Sequence, residues 1–407
     1  MEEVFISIDN NKQELIDLTQ KLVSIPTVNP PGKDYDKIVN FLERYCRKIG
    51  LATRRIHVPS NELKKLGIDK ESERVSLIAI WNTSAKKTLH INGHYDVVLA
   101  TNNWSSDPFK PIIKRGRIYG RGSADMKGNI ASTLIAIKAL KDQKVKPKCN
   151  IELSFTPDEE TGGAAGFKYL VRKKYIKPNY AIGEGYNNDY FSYGNKGIAW
   201  FRIEVRGKSC HSSEPHKGIN SFEKMILVAN EFMKLKKRVN KRRTRYTTKN
   251  KKDRYSTMVM GGELWGGEKA NIVPDKSVFT IDRRILPEES IADAKREIYS
   301  VVDRLKKRDK TLDVKLKIIS AEPSNISDSQ GRLFDVFSRS IYRVLGKKAK
   351  SALLAGATDM RFLMRRGVPC LGYSPDGGHS CHCDNEYVKI KSLVDTTKIL
   401  ANVIAKI

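Results

Sequence analysis

Five short segments of the sequence place histidine or acidic side chains at the ends of apolar runs, in glycine-rich turns or in a polar loop. The first segment ends with His94 and carries Asp96 two residues later. Residues two apart on an extended chain project from the same face, so this carboxylate is placed to orient the imidazole as it binds a metal ion. A structural role is the alternative interpretation, because a His-x-Asp pair also arises by chance.

Asp125 lies in the glycine-bracketed turn 120–128, which runs into a predicted helix. Glycines permit backbone angles that other residues rarely adopt, so such a turn can expose both oxygens of an aspartate to two cations. The alternative interpretation is a carboxylate that caps the helix.

Glu159 and Glu160 follow a predicted strand and stand just before two glycines. Adjacent side chains point in different directions, so one glutamate can bind a metal ion while the other takes a proton from water. A solvated acidic loop is the alternative interpretation here.

Glu184 follows a short apolar run between two glycines, and His382 stands in a polar loop before a predicted helix. Each of them alone is equally compatible with a structural role. With His94, Asp125 and Glu160 they amount to two imidazoles and three carboxylates. This is the mixed nitrogen and oxygen donor set that zinc accepts at open catalytic sites. The combination predicts a catalytic metal centre.

The hydrophobic periodicity around these segments predicts helices and strands in alternation. The expected elements are helices 12–22 and 35–50, strands 75–80, 89–92 and 149–155, and helix 130–140. Such alternation indicates an α/β sheet with functional sites at the carboxyl ends of its strands. We predict a mixed sheet flanked by helices.

From Gly194 onward the pattern changes to strand 198–205, helix 221–235, strands 257–260 and 276–282, helix 291–307 and strand 313–319. This βαββαβ order is a compact unit in its own right. The α/β pattern then resumes with helix 330–344, a buried stretch at 352–354 and a final helix from residue 392. We predict one catalytic domain formed by residues 1–194 and 321–407, with a smaller domain inserted at 195–320.

The length of 407 residues supports two domains, because one hydrophobic core stops growing at roughly 250–300 residues. No apolar run approaches the ~20 residues of a membrane span, and the acidic N-terminus lacks a signal-peptide pattern. We expect a soluble, cytoplasmic protein without a membrane partner. Six cysteines are too few for a disulfide scaffold and suit a reducing compartment, with most of them as buried thiols.

The net charge of +29, taken alone, favours a polyanionic partner. One segment, residues 234–254, holds twelve Lys or Arg residues against a single acid, Asp253. Tyr246 is its only aromatic residue, so a base-stacking surface is not indicated. We interpret the segment as a solvated helix end and loop, and nucleic acid is not an expected partner. A non-catalytic polyanion-binding protein is the alternative of a different class.

In their order and separations, the segments around His94, Asp125, Glu160, Glu184 and His382 resemble the zinc-dependent aminoacylase and carboxypeptidase family. That family includes succinyl-diaminopimelate desuccinylase, acetylornithine deacetylase and aminoacylase. The resemblance extends over essentially the whole chain. It implies an amide hydrolase with two zinc or cobalt ions per subunit, and an inserted domain that serves as a lid and a dimerisation surface. A homodimer is the expected assembly.

The resemblance also implies a role for each metal-binding residue. Asp125 bridges the two ions. His94 and Glu184 complete one site, and Glu160 and His382 complete the other.

Further residues have implied roles in the reaction. By the same resemblance, Asp96 orients His94, Glu159 is the general base on a metal-bridging water, and His211 polarises the scissile carbonyl. The implied substrate-binding residues are Asn271, Arg284, Gly356 and Thr358.

The third carboxylate ligand bears on the substrate, because the family's deacylases have glutamate at the position of Glu184 and its peptidases have aspartate. The resemblance therefore favours an N-acyl amino acid, whose carboxylate Arg284 would hold bidentately. Succinyl-diaminopimelate, with three carboxylates, suits a basic cleft. This ranks a desuccinylase of lysine biosynthesis ahead of acetylornithine deacetylase and of other deacylases or carboxypeptidases.

Three departures from the family pattern bear on the substrate rather than on the chemistry. Gly185 stands where deacylases often have proline, Leu99 and Ala100 follow Val98 where proline is common, and Asn195 stands where a basic residue is common. An acidic amino-group carrier protein, which resembling deacylases of some lysine pathways use, is a further candidate partner.

Overall fold

A computed structural model of the protein describes residues 1–69 and 73–407. It forms two compact units. The first unit comprises Met1–Gly194, Ser327–Ala352 and Thr358–Ile407, and the second comprises Asn195–Ile326 and Leu353–Ala357. The boundaries expected from the sequence were 194/195 and 320/321. Whether the second unit acts as a lid and a dimerisation domain stays a prediction.

From the N-terminus to Asn195, the helices and strands are α1 (Glu2–Asn10), α2 (Lys12–Val23), α3 (Tyr35–Lys48), β1 (Ala52–His57), α4 (Ser60–Lys65), β2 (Val75–Trp81), β3 (Thr88–His94), β4 (Ile112–Lys114), β5 (Arg117–Tyr119), α5 (Gly128–Asp142), β6 (Asn150–Thr156), α6 (Phe167–Arg172), β7 (Tyr180–Tyr186) and β8 (Tyr190–Asn195).

The chain continues with β9 (Gly197–Arg206), α7 (Ser221–Val239), β10 (Thr257–Gly266), β11 (Lys276–Ile285), α8 (Ile291–Arg308), β12 (Asp313–Glu322) and β13 (Asn325–Ile326). The last elements are α9 (Arg332–Leu345), β14 (Lys350–Leu354), α10 (Arg361–Met364), β15 (Cys370–Tyr373), β16 (Tyr387–Lys389) and α11 (Ile390–Lys406).

The main sheet of the first unit has the strand order β1-β2-β6-β3-β7-β15-β8. The neighbours β6, β3, β7 and β15 are parallel, whereas β1, β2 and β8 pair antiparallel with their neighbours. β3 is buried from Leu89 to His94, as expected for a central strand covered on both faces. The predicted mixed α/β sheet is therefore confirmed.

Helices cover this sheet. α5 is buried from Gly128 to Ile137 and packs against α11 and α2, which explains why its sequence is apolar on nearly all sides. A separate apolar cluster joins Phe167 of α6 and Phe362 of α10 to residues of the sheet. The parallel strands β3 and β6 end in register, with His94 opposite Thr156. The loops that follow these two strands therefore begin at the same edge.

A small antiparallel sheet with the order β16-β5-β4 also belongs to the first unit. β4 and β5 form a hairpin with a two-residue turn at Arg115 and Gly116, and β16 pairs with β5 so that Tyr387 lies opposite Tyr119. This sheet links two loops, since residue 120 follows β5 and residue 386 precedes β16.

The second unit is built on the antiparallel sheet β10-β11-β9-β12. Alternate residues of β9, from Ala199 to Val205, are buried and pack with apolar residues of α7 and α8 in one core. The element order β9-α7-β10-β11-α8-β12 is the βαββαβ order that the sequence predicts.

Two expectations from composition can be compared with the structure. Among the described residues, no helix is both long enough and apolar enough to span a bilayer. The expectation of mostly buried thiols is met by half of the cysteines: Cys46, Cys149 and Cys370 are buried, Cys210 is intermediate, and Cys381 and Cys383 are exposed.

Candidate metal centre

His94 is the last residue of the central strand β3, and its imidazole is buried. Its Nε2 lies 3.0 Å from Oδ1 of Asp125 and 3.2 Å from Oε2 of Glu184. Its Nδ1 lies 3.1 Å from the carbonyl oxygen of Asp96 and 3.5 Å from the carboxylate of the same residue. The Nδ1 side of the ring therefore faces Asp96, with the backbone oxygen as the closer contact.

The buried Asp96 also positions the two glutamates that follow β6. Its carboxylate accepts hydrogen bonds from the backbone N–H groups of Glu159 and Glu160, each at 3.2 Å, and from Nδ2 of Asn29 at 3.0 Å. One carboxylate thus fixes the His94 ring and the turn that carries Glu159 and Glu160.

The preceding residue, Asp158, is an anchor that the sequence did not indicate. It is buried with a left-handed φ of 66°, and it forms an ion pair at 2.7 Å with the buried Arg74. Asn29 and the hydroxyl of Tyr35 donate further hydrogen bonds to its carboxylate, at 3.1 and 3.2 Å. These contacts make the glutamate turn a rigid part of the first unit.

Asp125 lies in the tight turn Ser123–Lys127, between β5 and α5. Gly122, just before the turn, has a φ of 83°, and a Cβ atom there would lie 2.5 Å from a side-chain carbon of Val97. A glycine is therefore needed for both its backbone angle and its lack of a side chain.

The backbone of this turn is held by Glu386, a buried carboxylate that the sequence did not indicate as functional. It accepts hydrogen bonds from the N–H groups of Gly122, Ala124 and Asp125 at 2.9–3.1 Å, and an ion pair from Arg121 at 2.7 Å. Because Glu386 lies four residues beyond His382, it connects the two loops that carry Asp125 and His382.

Glu184 lies inside β7 rather than at its end, so the strand extends two residues further than the sequence indicated. His382 lies in the loop between β15 and β16, with 52% of its side chain exposed. Its Nε2 is 3.0 Å from Oε2 of Glu160 and 3.3 Å from Oδ2 of Asp125. Asp125 therefore presents one oxygen to each histidine.

The structure thus brings all five predicted ligands together. His94 and Glu184 lie on one side of Asp125, and His382 and Glu160 lie on the other. Imidazole nitrogens and carboxylate oxygens in this arrangement are ligands that fit zinc or cobalt ions.

Glu159 lies on the His94 side of the cluster, where its carboxylate, His94 and Glu184 have donor atoms within 4.8 Å of one another. Its Oε1 is 3.7 Å from Nη1 of Arg361, a buried residue that also donates a hydrogen bond to the carbonyl oxygen of Gly162 at 2.9 Å. Sequence reasoning missed Arg361, although it follows directly on the loop that was expected to hold substrate.

The titration of these groups reflects an excess of negative charge. Burial raises the pKa of Glu184 to about 7, even though the hydrogen bond with His94 opposes the change. Burial and the nearby carboxylates of Glu184 and Asp359 raise the pKa of Glu159 well above its usual range. Hydrogen bonds with Asp125 and Glu160 raise the pKa of His382 to about 10. Carboxylates that compete in this way for the protons of the imidazoles form a charge pattern that a divalent cation relieves.

The other predicted site residues are divided between the two units. His211, Asn271, Arg284 and Gly356 belong to the second unit, and Thr358 belongs to the first. Within the second unit His211 bridges to Ile272, and its Nδ1 lies 2.7 Å from the hydroxyl of Ser213. The carbonyl of Asn271 accepts from the N–H of Ser212 at 3.1 Å, and Arg284 contacts Asp282 at 3.1 Å. Their part in a reaction stays a prediction.

The profile of peptidase family M20/M25/M40 matches residues 90–406 of this chain. The chain belongs to this family. The resemblance to zinc-dependent aminoacylases and carboxypeptidases is thereby confirmed, and the protein is a metal-dependent hydrolase of amide bonds.

Individual relatives of the M20 chain match nearly its whole length. An uncharacterized metallohydrolase of Methanocaldococcus jannaschii is 28% identical, over 96% of this chain and 99% of that protein. The N-formyl-4-amino-5-aminomethyl-2-methylpyrimidine deformylase of Halalkalibacterium halodurans is 24% identical, over 98% and 96%. Aminoacylase-1A of Rattus norvegicus is 26% identical, over 88% and 86%.

Solved structures share the fold. An M20 family metallo-carboxypeptidase of Sulfolobus solfataricus superposes with a TM-score of 0.77 at 19% identity, over 97% of this chain and 99% of that one. A dinuclear metal binding peptidase of the same family from Bacillus subtilis gives a TM-score of 0.68 at 14% identity, over 98% of both chains.

Proposed function

We propose that this protein is a deacylase that uses two divalent metal ions to hydrolyse the amide bond of an N-acyl amino acid. The observation that carries the proposal is the Asp125 carboxylate, which offers one oxygen toward His94 and the other toward His382. In this proposal Asp125 would hold both ions, His94 and Glu184 would complete one site, and Glu160 and His382 would complete the other. Zinc or cobalt suits this donor set.

When bound, the metal ions supply the positive charge that activates water and polarises the scissile carbonyl. Glu159 takes the proton from the attacking water and returns it to the departing amine. The raised pKa of Glu159 suits this role, because a more basic carboxylate takes a proton from water more readily. Arg361 orients the carboxylate from behind, and Asp96 fixes its backbone.

Removal of an acyl group from nitrogen is the common element in the names of the deformylase and aminoacylase relatives, which supports a deacylase over a peptidase. Glu184 supports the same choice, because the family's deacylases have glutamate there. Desuccinylation of succinyl-diaminopimelate, which the sequence ranks first, stays a prediction, as does deacetylation of acetylornithine. The relatives add N-formyl compounds as substrates to test.

The deciding experiment is a hydrolysis screen of the zinc- or cobalt-loaded enzyme. The panel contains N-acetyl- and N-formyl-methionine, acetylornithine, succinyl-diaminopimelate and a dipeptide. We expect turnover of at least one acylated amino acid and slower or no turnover of the dipeptide. If both metals are bound and only the dipeptide is cleaved, the protein is a peptidase and the deacylase proposal is wrong.

Two variants separate metal binding from catalysis in that screen. Glu159→Gln should keep both metal ions and lose about 10²–10⁴-fold in kcat, the usual contribution of a general base. Asp125→Ala should lose bound metal, measured by elemental analysis after dialysis. Full activity of Glu159→Gln with metal bound would remove this residue from the mechanism.

We further propose that the second unit supplies His211 to the active site of a partner subunit in a homodimer. A mixture of His211→Ala and Glu159→Gln chains tests this, since each variant alone should have little activity. If His211 acts across the dimer, mixed dimers contain one complete site and regain activity. If it acts within its own chain, or the protein is a monomer, mixing restores nothing.

A further inference from the structure

A pocket of about 370 Å³ lies against the β4–β5 hairpin of the first unit. Three basic residues, Lys114, Arg115 and Arg117, line it together with Ser105, Tyr119 and Asn385. No acidic residue and no proposed metal ligand is among the described residues that line it. It is therefore a basic cavity separate from the metal centre.

The three basic residues of the pocket lie close together in the hairpin, which is electrostatically unfavourable. Lys114 lies directly opposite Arg117 in the register of the hairpin, and Arg115 occupies the turn between them. Like charges directly opposite each other on paired strands repel. Within residues 1–69 and 73–407, neither Lys114, Arg115 nor Arg117 forms an ion pair with an acid. The hairpin therefore holds three positive charges that the described protein does not neutralise.

A neighbouring lysine, Lys389, has its positive charge balanced by an acidic residue. Lys389 of β16 lies opposite Arg117 on its other side, but it forms an ion pair at 2.6 Å with Asp376. Asp376 also acts electrostatically on Arg117, yet its carboxylate is already engaged by Lys389. The charge of Lys389 is balanced within the protein, whereas the hairpin charges are not.

Turn chemistry does not explain the arginine in the hairpin. Arg115 and Gly116 both have left-handed backbone angles, with φ of 51° and 69°. Asparagine, aspartate or glycine is the favoured first residue of such a two-residue turn. The backbone therefore does not favour an arginine at this position.

The pocket also offers ordered polar groups. The hydroxyl and backbone N–H of Ser105 bond to Oδ1 of Asn385 at 2.6 and 2.9 Å, which fixes both residues. The guanidinium of Arg117 lies 4.3 Å from the ring centroid of Tyr387 and donates to the hydroxyl of Tyr119 at 3.4 Å. The Tyr119 hydroxyl hydrogen and the other guanidinium N–H groups are then placed for an anion.

A larger basic groove, of about 580 Å³ along α9 and α11, is a weaker candidate. There Arg332 donates to the carbonyl oxygens of Lys406 and Ile407, and Arg343 forms an ion pair with Glu2. The acid Asp335 lines the same groove. Two of its four cations, Arg332 and Arg343, are therefore engaged by the protein itself, and Asp335 adds a negative charge.

We propose that the pocket at the β4–β5 hairpin binds a phosphate group. Arginine and lysine donors suit a tetrahedral dianion, and an anion there would relieve the repulsion between Lys114 and Arg117. The volume fits a small phosphorylated molecule or inorganic phosphate. This site does not depend on the deacylase proposal.

Calorimetric titration of the full-length protein with inorganic phosphate and with glucose 6-phosphate, at constant ionic strength, tests the proposal. The double variant Lys114→Gln/Arg115→Asn should raise the Kd at least about tenfold, as expected when charged hydrogen bonds are lost. Asparagine suits the turn conformation, so this variant is expected to fold. Tighter binding of glucose 6-phosphate than of phosphate would identify a phosphorylated small molecule as the ligand, and equal binding would identify inorganic phosphate.

The matched control is Lys251→Gln/Lys252→Gln, which removes two exposed charges from the second unit and should leave the Kd unchanged within about twofold. If both double variants bind phosphate like the wild type, the pocket is not a phosphate site. A third arm uses a single-stranded DNA 20-mer. Binding of DNA that the hairpin variant loses, without competition by phosphate, would overturn the proposal in favour of a nucleic-acid surface.

Discussion

Each of the two units contains a buried cluster of charged side chains, and the two clusters are balanced differently. In the second unit the fully buried Arg283 donates to Glu289 at 2.8 Å and to Glu297 at 2.5 Å. Arg242 donates to the same two glutamates at 2.7 and 2.5 Å. Two arginines therefore meet two glutamates, and the cluster is neutral.

In the first unit the carboxylates of Asp125, Glu159, Glu160 and Glu184 gather around His94 and one further imidazole. The pKa values of Glu184 and Glu289 differ in direction between the two clusters. Burial raises the pKa of Glu184 to about 7. The pKa of Glu289 is lowered, because its hydrogen bonds from Leu286, Arg242 and Arg283 outweigh the effect of burial. A cluster whose charges cancel needs no ion to balance it, whereas a cluster with excess negative charge indicates a bound cation.

The largest expected effect comes from breaking the balanced cluster. Arg283→Met removes one buried cation and leaves Glu289 and Glu297 short of a partner, which should cost about 3–5 kcal/mol of stability. Hydrogen exchange of β11 and α8, followed by mass spectrometry, measures the loss within the second unit.

The control is Arg202→Met, in β9 of the same sheet, because the ion pair of Arg202 with Glu263 is 3.4 Å long and 57% exposed on the glutamate side. It should cost less than about 1 kcal/mol. Equal exchange rates in the two variants would mean that Arg283 is not buried in a charge-balanced cluster.

The elements of the fold that the sequence predicts are those with long apolar periodicity. α2, α5, α7, α8 and α9 all have expected counterparts within a few residues. β1 was not predicted, because Arg54 and Arg55 interrupt its apolar pattern. It is a strand through its pairing with β2. β15 and β16 are short strands of four and three residues, and pairing with strands distant in sequence defines them. Local sequence carries little information on such pairing.

Four of the candidate ligands were found because they stand near glycines or at a strand end, and His382 was found in a polar loop before a predicted helix. The residues that hold these ligands in place were missed. They are charged residues in apolar or polar stretches, and nothing in the local sequence marks them as functional. Glu386 is the clearest case. A turn that exposes three N–H groups needs an acceptor, so the glycine-bracketed turn at Asp125 already required one. The sequence shows the need for an acceptor but not which distant carboxylate meets it.

The next prediction is that removing one carboxylate from each cluster changes stability in opposite directions. In metal-free protein at pH 8, Glu184→Gln removes an uncompensated carboxylate and should increase stability by about 1–3 kcal/mol. Glu289→Gln removes a compensated carboxylate and should decrease stability by a similar amount. Differential scanning calorimetry in the presence of a chelator measures both. Destabilisation by both variants would contradict the difference between the clusters.

The pH dependence should also have opposite signs. The pKa of Glu184 in the folded protein, about 7, lies above its ordinary value of 4.5, so its contribution to stability is present below about pH 4.5 and is lost as the pH rises through 7. Metal-free protein should therefore lose on the order of 1–3 kcal/mol between pH 5 and 8. The lowered pKa of Glu289 acts in the reverse direction, and its contribution is lost as the pH falls toward the folded pKa.

Chelator and zinc titrations at pH 5 and pH 8 separate these contributions. Added zinc should restore stability at pH 8 and should do so less at pH 5, where ligands hold protons. Glu184→Gln is the matched control, because it should flatten the metal-free slope between pH 5 and 8. A wild-type slope that remains in this variant would assign the effect to other groups.

The smallest effect is expected from the outer arginine of the balanced cluster. Arg242 is 35% exposed and contacts the same glutamates as Arg283, so Arg242→Gln leaves each glutamate with its buried partner. Solvent screening then limits the cost to below about 1 kcal/mol, and the cost should shrink further in 1 M salt. Urea unfolding at low and high salt measures both. A cost as large as that of Arg283→Met, unchanged by salt, would show that the two arginines carry the cluster equally and that burial does not decide its stability.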